Sequence, residues 1–148
     1  MNDDFRDILG FLLDAGARFL VVGAHALAAH GIPRATGDLD LWVEPTPENA
    51  ARVWRALLAF GAPVEAMKLS PSDFHQPGVV VQIGVPPRRI DFLTEITGVG
   101  FAEAWSGRAE HEVAGRRVPF VGRQTLVKNK RAAGRLKDLA DLEALGEK

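Results

Sequence analysis

Apolar residues recur at helical spacing at the start of the chain and then give way to a short apolar run. In residues 3–15 they lie three or four positions apart, which predicts an amphipathic helix that Asp3 or Asp4 caps and Gly16 ends. The run Phe19–Val22 is short and partly β-branched, so it predicts a buried strand. The glycine and the alanine-rich segment that follow it predict a tight turn and a short helix.

The middle of the chain predicts a strand and then a second helix. Leu39–Val43 follows a loop rich in glycine and proline, and its alternation places apolar side chains on one face. Asp38 and Asp40 then lie together on the opposite face. Residues 46–60 begin with a Thr-Pro helix start signal and carry an apolar stripe that ends at Gly61.

The second half of the chain predicts further strands and a helical end. Residues 79–85 and 89–93 predict two antiparallel strands on either side of a Pro-Pro pair, and residues 111–121 predict a hairpin. A basic helix is expected from about Gln124, followed by a last helix rich in leucine. Strands interleaved irregularly with helices predict an α+β fold, in which helices cover a mixed sheet of the α/β type.

Composition narrows the function classes. The 148 residues fit a single compact domain, 1–148, and the net charge of -1 gives no global attraction to nucleic acid, so any basic surface must be local. The absence of cysteine excludes disulfides, thiolate zinc sites and cysteine nucleophiles. The N-terminus is acidic where a secretory signal would be basic, and no apolar run is long enough to span a bilayer. We therefore expect a cytoplasmic protein that is not bound to a membrane.

Three aspartates form the candidate chemical site. Strand alternation sends the Asp38 and Asp40 carboxylates to one side, about 7 Å apart at their α-carbons. Asp91 is expected on the polar side of an adjacent strand. Carboxylates shared between two ions about 3.5 to 4 Å apart are typical of magnesium-dependent phosphoryl chemistry, so all three residues are predicted as catalytic and metal-binding. The alternative is that the acids are the solvent-facing side of an edge strand, where they would discourage aggregation.

The segment from Gly23 to Val43 resembles the polymerase-beta-type nucleotidyltransferase superfamily, whose signature is a glycine turn, a short helix and an acidic strand. It is most similar to the small minimal nucleotidyltransferases and the AbiEii-type toxins. The resemblance implies that Gly23 and Ala24 lie against the triphosphate of a bound nucleotide. Ala24 stands where the family usually has glycine or serine, so it keeps the close approach without a hydroxyl contact.

The loop before the acids carries two further candidates for nucleotide binding, Arg34 and Thr36. An arginine can hold a phosphate through two parallel hydrogen bonds, and the glycines of this loop allow it to approach a ligand. An ion pair between Arg34 and Asp38 is the alternative interpretation.

The last helices resemble the tail of this family, in which a lysine and an aspartate close the nucleotide site. Lys130 and Asp138 are the matching residues of this chain. Helical spacing predicts two basic faces, which would suit a triphosphate or an RNA backbone. One face would contain Lys128, Arg131 and Arg135, and the other Lys130, Gly134 and Lys137. A solvated surface with salt-bridge partners is the alternative.

The resemblance implies transfer of a nucleoside monophosphate from a nucleoside triphosphate such as ATP to a hydroxyl acceptor, with Mg²⁺ as cofactor and Mn²⁺ as its substitute. The acceptor stays open among RNA or tRNA, a protein and a small molecule. A toxin–antitoxin role, with a cognate partner protein, is also implied. Two rival functions remain: an inactive binding module of the same fold, and a metal-dependent phosphohydrolase.

Overall fold

The computed structural model describes residues 1–32 and 37–147. The helices in these ranges are α1 (Asp3–Asp14), α2 (Gly23–Ala29), α3 (Pro47–Phe60), α4 (Phe101–Ser106), α5 (Arg123–Ala133) and α6 (Leu136–Ala144). The strands are β1 (Phe19–Val22), β2 (Leu39–Val43), β3 (Val80–Ile83), β4 (Ile90–Leu93), β5 (Ala109–Val113) and β6 (Arg116–Phe120), and a 3₁₀ helix covers Pro71–His75. None of these helices is both long and apolar enough to cross a membrane.

The strands form one mixed sheet in the order β3-β4-β2-β1-β6-β5. Three neighbouring pairs are antiparallel, namely β3 with β4, β2 with β1 and β6 with β5. Two pairs are parallel, β4 with β2 and β1 with β6. The predicted α+β class is therefore confirmed, and so are both predicted antiparallel pairs, 79–85 with 89–93 and the hairpin within 111–121.

Alternation along β2 separates the core from the chemistry. Leu39, Leu41 and Val43 are completely buried in the hydrophobic core, which also takes in the apolar stripes of α1 and α3. On the opposite face, Trp42 packs against Phe101 of α4 with 5.1 Å between the ring centroids. The remaining side chains of that face are the acids at the start of the strand.

The helix ends follow the sequence signals with one exception. Thr46 accepts a hydrogen bond from the Asn49 backbone N–H at 3.2 Å, and Gly61 ends α3 in the left-handed conformation, as predicted. At α1 the predicted cap is wrong, because the side chain of Asn2 accepts the hydrogen bond from the Phe5 N–H at 3.0 Å. Asp3 and Asp4 lie in the first turn instead, where their negative charges interact favourably with the positive end of the helix dipole.

Two short elements are absent from the sequence prediction, although Ser70 and Asp73 form a capping box at the start of the 3₁₀ helix. The 3₁₀ helix and α4 each span about one turn or two, too few residues for a periodic apolar pattern to appear. Tertiary contacts hold them instead, since Phe74 and Phe101 are both buried in the core.

Candidate active site

The parallel pairing of β2 with β4 brings the predicted acids together. Asp40 and Asp91 are direct neighbours across the two strands, and Asp38 lies two residues before Asp40. Asp91 is 7% exposed, while Asp38 and Asp40 are partly buried. Asp91 therefore lies where it was predicted, on the strand next to Asp38 and Asp40.

Arg89 is the counter-ion of this cluster. Its guanidinium Nη2 lies 2.7 Å from Asp38 Oδ2, and its Nε donates to Asp91 Oδ1 at 2.9 Å. These contacts raise the pKa of Arg89, chiefly through the hydrogen bond to Asp91. Strand alternation is the sequence signal for this residue, since Arg89 stands two positions before Asp91 and both therefore lie on one face.

One arginine does not neutralise three carboxylates. Asp38, Asp40 and Asp91 bring three negative charges and Arg89 one positive charge, so the ionised cluster has a formal charge of -2. The pKa of Asp40 is raised to about 6, first by burial and then by the negative charge of Asp91. The cluster is therefore short of positive charge at neutral pH.

The donor set of this cluster fits a hard divalent cation. All of its acceptors are carboxylate oxygens, and Asp38 Oδ1 is buried with no hydrogen-bond partner among the described residues. The side chains are not arranged as a complete cage, since no three acids or histidines in the ranges 1–32 and 37–147 converge on one point as metal ligands would. The Arg89 guanidinium pairs instead with Asp38 and Asp91.

Gly23 borders the acids from the next strand. Val22, the last residue of β1, pairs with Asp40, and Gly23 follows with a φ of +69°. A β-carbon at this position would overlap the Asp40 carboxylate, at Oδ2. Both the backbone conformation and the contact therefore require glycine here. Ala24 lies in the first turn of α2, partly buried, and no side chain caps the N-terminus of that helix.

A cleft of about 690 Å³ opens beside Asp40. One wall is formed by β3 and by the chain that leaves β4, and the other wall is formed by α5 and the start of α6. Gly23, Lys130, Arg135 and Lys137 line it together with Asp40. The fold thus gathers residues that are more than 100 positions apart in the sequence, while Asp38 and Asp91 stay paired with Arg89 beside the cleft.

Lys130 is not a freely exposed cation. Its side chain is 12% exposed, and its Nζ lies 3.3 Å from Asp138 Oδ1 and 2.9 Å from Asp141 Oδ2. Burial lowers the pKa of Lys130, although the hydrogen bond to Asp138 opposes that effect. The sequence analysis did not predict Asp141 as a partner of Lys130. Asp141 stands one helical turn after Asp138, so the two lie on the same helix face, and that spacing was the signal for it.

Asp138 is completely buried, so its carboxylate is out of reach of a ligand in the cleft. It accepts hydrogen bonds from Arg135 Nε at 2.7 Å and from the Arg135 backbone N–H at 3.1 Å. The hydrogen bond from the Arg135 side chain is the main reason that the pKa of Asp138 is lowered to about 2. In place of the direct nucleotide contact predicted for it, Asp138 holds Lys130 and Arg135 at the rim of the cleft.

The two basic faces predicted for the C-terminal helices are not present in the structure, because residues 128–137 do not form one continuous helix. Gly134 adopts the left-handed conformation and ends α5, and Arg135 begins α6 in a new direction. Residues on either side of this break therefore do not share a helical face. Lys128 forms a salt bridge with Glu103 at 2.9 Å, and Arg131 forms one with Glu147 at 3.3 Å. These two residues therefore agree with the alternative interpretation, a solvated helix surface with salt-bridge partners.

Two predicted residues, Arg34 and Thr36, lie outside the described residues. The alternative proposed for Arg34 was an ion pair with Asp38. Among the described residues, Arg89 makes that pair.

A solved structure supports the fold. The chain superimposes on the crystal structure of a putative nucleotidyltransferase from Thermotoga maritima with a TM-score of 0.59, over 96% of this chain and 88% of that one, at 16% sequence identity. No protein-family model matches the sequence, and no curated protein matches it. At this level of identity the likeness establishes a shared fold, in agreement with the α+β class that the sequence predicts.

Proposed function

We propose that the protein is a metal-dependent nucleotidyltransferase that moves a nucleoside monophosphate from a nucleoside triphosphate to a hydroxyl acceptor. The observation that carries the proposal is the pairing of Asp40 with Asp91, next to Asp38, at a cleft that Lys130 and Lys137 line. The fold shared with the Thermotoga maritima protein supports the same class of reaction.

In the proposed reaction a hydroxyl oxygen of the acceptor attacks the α-phosphorus. The bond from that phosphorus to the bridging oxygen breaks, and pyrophosphate leaves. Asp38, Asp40 and Asp91 would hold Mg²⁺, or Mn²⁺ in its place, and the bound cation would neutralise charge on the attacking and leaving oxygens. Asp91 lies on the side of the cluster away from Gly23 and accepts the proton of the attacking hydroxyl.

The remaining cleft residues would position the nucleotide. Gly23, which has no side chain, lets the phosphates approach the backbone next to Asp40. Lys137 and Arg135 would bind the pyrophosphate part of the nucleotide as cations. Lys130 would contribute its charge from a position that Asp138 and Asp141 keep rigid.

The direct test is label transfer. The purified protein is incubated with each α-labelled nucleoside triphosphate and Mg²⁺, together with total RNA or whole-cell lysate, and compared with the double variant Asp38→Ala/Asp40→Ala. Label on a macromolecule with the wild type alone is the expected result, and it identifies the acceptor class. Label released as free monophosphate would indicate a phosphohydrolase instead.

Asp91→Asn is expected to separate binding from turnover. Because Asp91 is assigned to the acceptor side, the variant should keep nucleotide affinity within a fewfold while transfer falls by roughly 10²-fold or more. Isothermal titration with a non-hydrolysable nucleotide and label transfer measure the two effects. Equal losses of affinity and turnover would show that Asp91 does not have a separate role.

An inactive binding module of the same fold is the second candidate, and Arg89 is the observation that favours it. A guanidinium already neutralises part of the acidic cluster, so the fold can persist without a metal. Nucleotide binding without transfer or hydrolysis would support this candidate. A toxin–antitoxin role in the cytoplasm, of the AbiEii type, rests on the sequence resemblance, and identification of the labelled acceptor tests it.

A further inference from the structure

The Arg89 guanidinium bridges two acids of the cluster. Its Nη2 lies 2.7 Å from Asp38 Oδ2 and 3.3 Å from Asp91 Oδ2, and its Nε donates to Asp91 Oδ1 at 2.9 Å. One cationic group therefore joins carboxylates from two neighbouring strands, which is the role that the proposed function gives to Mg²⁺. A metal ion that binds these oxygens competes with the guanidinium for them.

Arg89 satisfies the cluster only in part. Asp38 Oδ1 is buried and has no hydrogen-bond partner among the described residues. The ionised cluster also keeps a formal charge of -2 with Arg89 in place. One divalent cation would bring that charge to zero, so the cluster favours a cation of higher charge than the one that holds it.

The contacts of Arg89 allow its side chain to leave while its backbone stays in place. The Arg89 carbonyl accepts from the Leu39 N–H at 3.0 Å, so pairing with β2 fixes the main chain. The side chain is 29% exposed, and water can replace the carboxylates as its hydrogen-bond partner. Lys130 differs, because its partners Asp138 and Asp141 are almost completely buried and would lose their counter-ion if it left.

We propose that Arg89 is an internal substitute for the metal ion: it bridges the acids when no metal is bound, and its side chain rotates out to solvent when a divalent cation binds. The inference rests on the proposed metal-dependent transfer and concerns control of that same site. Because the cation must displace two ion pairs, the site fills at a higher metal concentration than the three carboxylates alone would require.

A permanent support is the opposite role for Arg89. In that role the guanidinium orients Asp38 and Asp91 and keeps its contacts when the metal binds. The two roles predict opposite signs, since removal of a competitor strengthens metal binding and removal of a support weakens it.

Arg89→Gln tests the sign, and Arg88→Gln is its matched control. Arg88 is the preceding residue, its side chain is 55% exposed, and it pairs with Asp4 at 3.2 Å. Each variant removes one positive charge, but only Arg89→Gln removes a contact with the acidic cluster. The nucleotide-free proteins are titrated with Mn²⁺, and the free ion is followed by electron paramagnetic resonance. The Kd for Mn²⁺ is expected to fall at least about tenfold in Arg89→Gln and to change less than about threefold in Arg88→Gln.

A second measurement uses the wild-type protein alone and detects the movement itself. The Arg89 Nε–H donates to Asp91, so its proton should exchange slowly with water and give a resolved resonance. Saturation with Mg²⁺ should raise its exchange rate at least about tenfold. The Arg135 Nε–H, which donates to Asp138 at 2.7 Å, is the internal control and should not change. This measurement requires no turnover, and it separates displacement from a change in the local electric field.

The outcomes distinguish this inference from the proposed function. Tighter Mn²⁺ binding in Arg89→Gln, with release of the Arg89 Nε–H by Mg²⁺ in the wild type, supports displacement. Weaker Mn²⁺ binding in a folded Arg89→Gln, or Mg²⁺ binding that leaves the Arg89 Nε–H protected, would overturn displacement and leave the proposed transfer intact. If Arg89→Gln does not fold, the wild-type exchange rate decides. No saturable binding of either ion, with or without a non-hydrolysable nucleotide, would overturn the metal-dependent function as well.

Discussion

Asp40→Asn is expected to lower nucleotidyl transfer by about 10³-fold and, at the same time, to make the metal-free protein more stable. The loss of activity follows because Asp40 is the acid of the cluster that lines the cleft beside Gly23. An amide is a weaker ligand for a hard cation than a carboxylate. Label transfer measures the loss, with the exposed Asp7→Asn as control.

The gain in stability has a defined pH range. The pKa of Asp40 is raised to about 6 in the folded protein, so between about pH 4 and pH 6 the folded state binds more protons than the unfolded state. The free energy of unfolding therefore decreases as pH rises through this range, and the full penalty is present above pH 6. Asp40→Asn removes the penalty, which we put at about 2 kcal/mol after allowance for partial exposure.

Thermal unfolding at several pH values tests this sign. The melting temperature of Asp40→Asn should exceed that of the wild type at pH 7, and the difference should disappear near pH 4. Mg²⁺ should then raise the melting temperature of the wild type more than that of the variant, because a cation that binds the folded state alone stabilises it. A variant that is less stable than the wild type at pH 7 would mean that the ionised Asp40 carboxylate stabilises the folded protein through hydrogen bonds, and that repulsion from Asp91 does not dominate.

Asn49→Ala is expected to cause a clear loss of stability, about 2 to 3 kcal/mol. Asn49 is completely buried in the first turn of α3. Its Oδ1 accepts from the Arg18 N–H at 2.7 Å, and its Nδ2 donates to the carbonyls of Arg18 and Glu44 at 2.9 and 3.0 Å. Alanine would leave the Arg18 N–H without its partner, while the carbonyls of Arg18 and Glu44 would keep the hydrogen bonds that they accept from the Glu44 and Thr46 N–H groups.

The position of Asn49 explains the size of that effect. It joins the start of β1 to the end of β2, and these are the strands that carry Gly23 and Asp40 at their other ends. Chemical denaturation measures the free energy of unfolding. The neighbouring Glu48→Ala, at an exposed position, is the matched control and should change it by less than about 0.5 kcal/mol. A small effect of Asn49→Ala would mean that water replaces the lost amide.

Local pattern was sufficient for the longer helices and most strands. α1 and α3 are long enough for several turns of apolar periodicity, and β2 alternates between core and acid. Strand alternation also placed Asp38 and Asp40 on one face, and the same rule applied to residues 89–93 put Asp91 on the polar side. These inferences succeed because periodicity is a property of consecutive residues and of the backbone geometry they share.

The C-terminal region shows where local pattern is insufficient. Helical spacing grouped Arg135 with Lys128 and Arg131, yet the left-handed Gly134 turns the chain and separates them. Lys130 was predicted as a nucleotide contact, but its partners Asp138 and Asp141 come from the next helix. A charge on a helix surface has no defined role until the packing of that helix decides which opposite charges it meets.

The sequence by itself determined the α+β class, the order of most elements, and the placement of three acids on the polar side of two strands. Only the tertiary structure decided that β4 lies parallel to β2 with Asp91 opposite Asp40, that Arg89 neutralises part of the cluster, and that β3 ends the sheet with an open edge. Strand order, ion pairing and burial depend on contacts between residues far apart in the chain. Those contacts are set by how the whole core packs, and no local window of sequence contains that information.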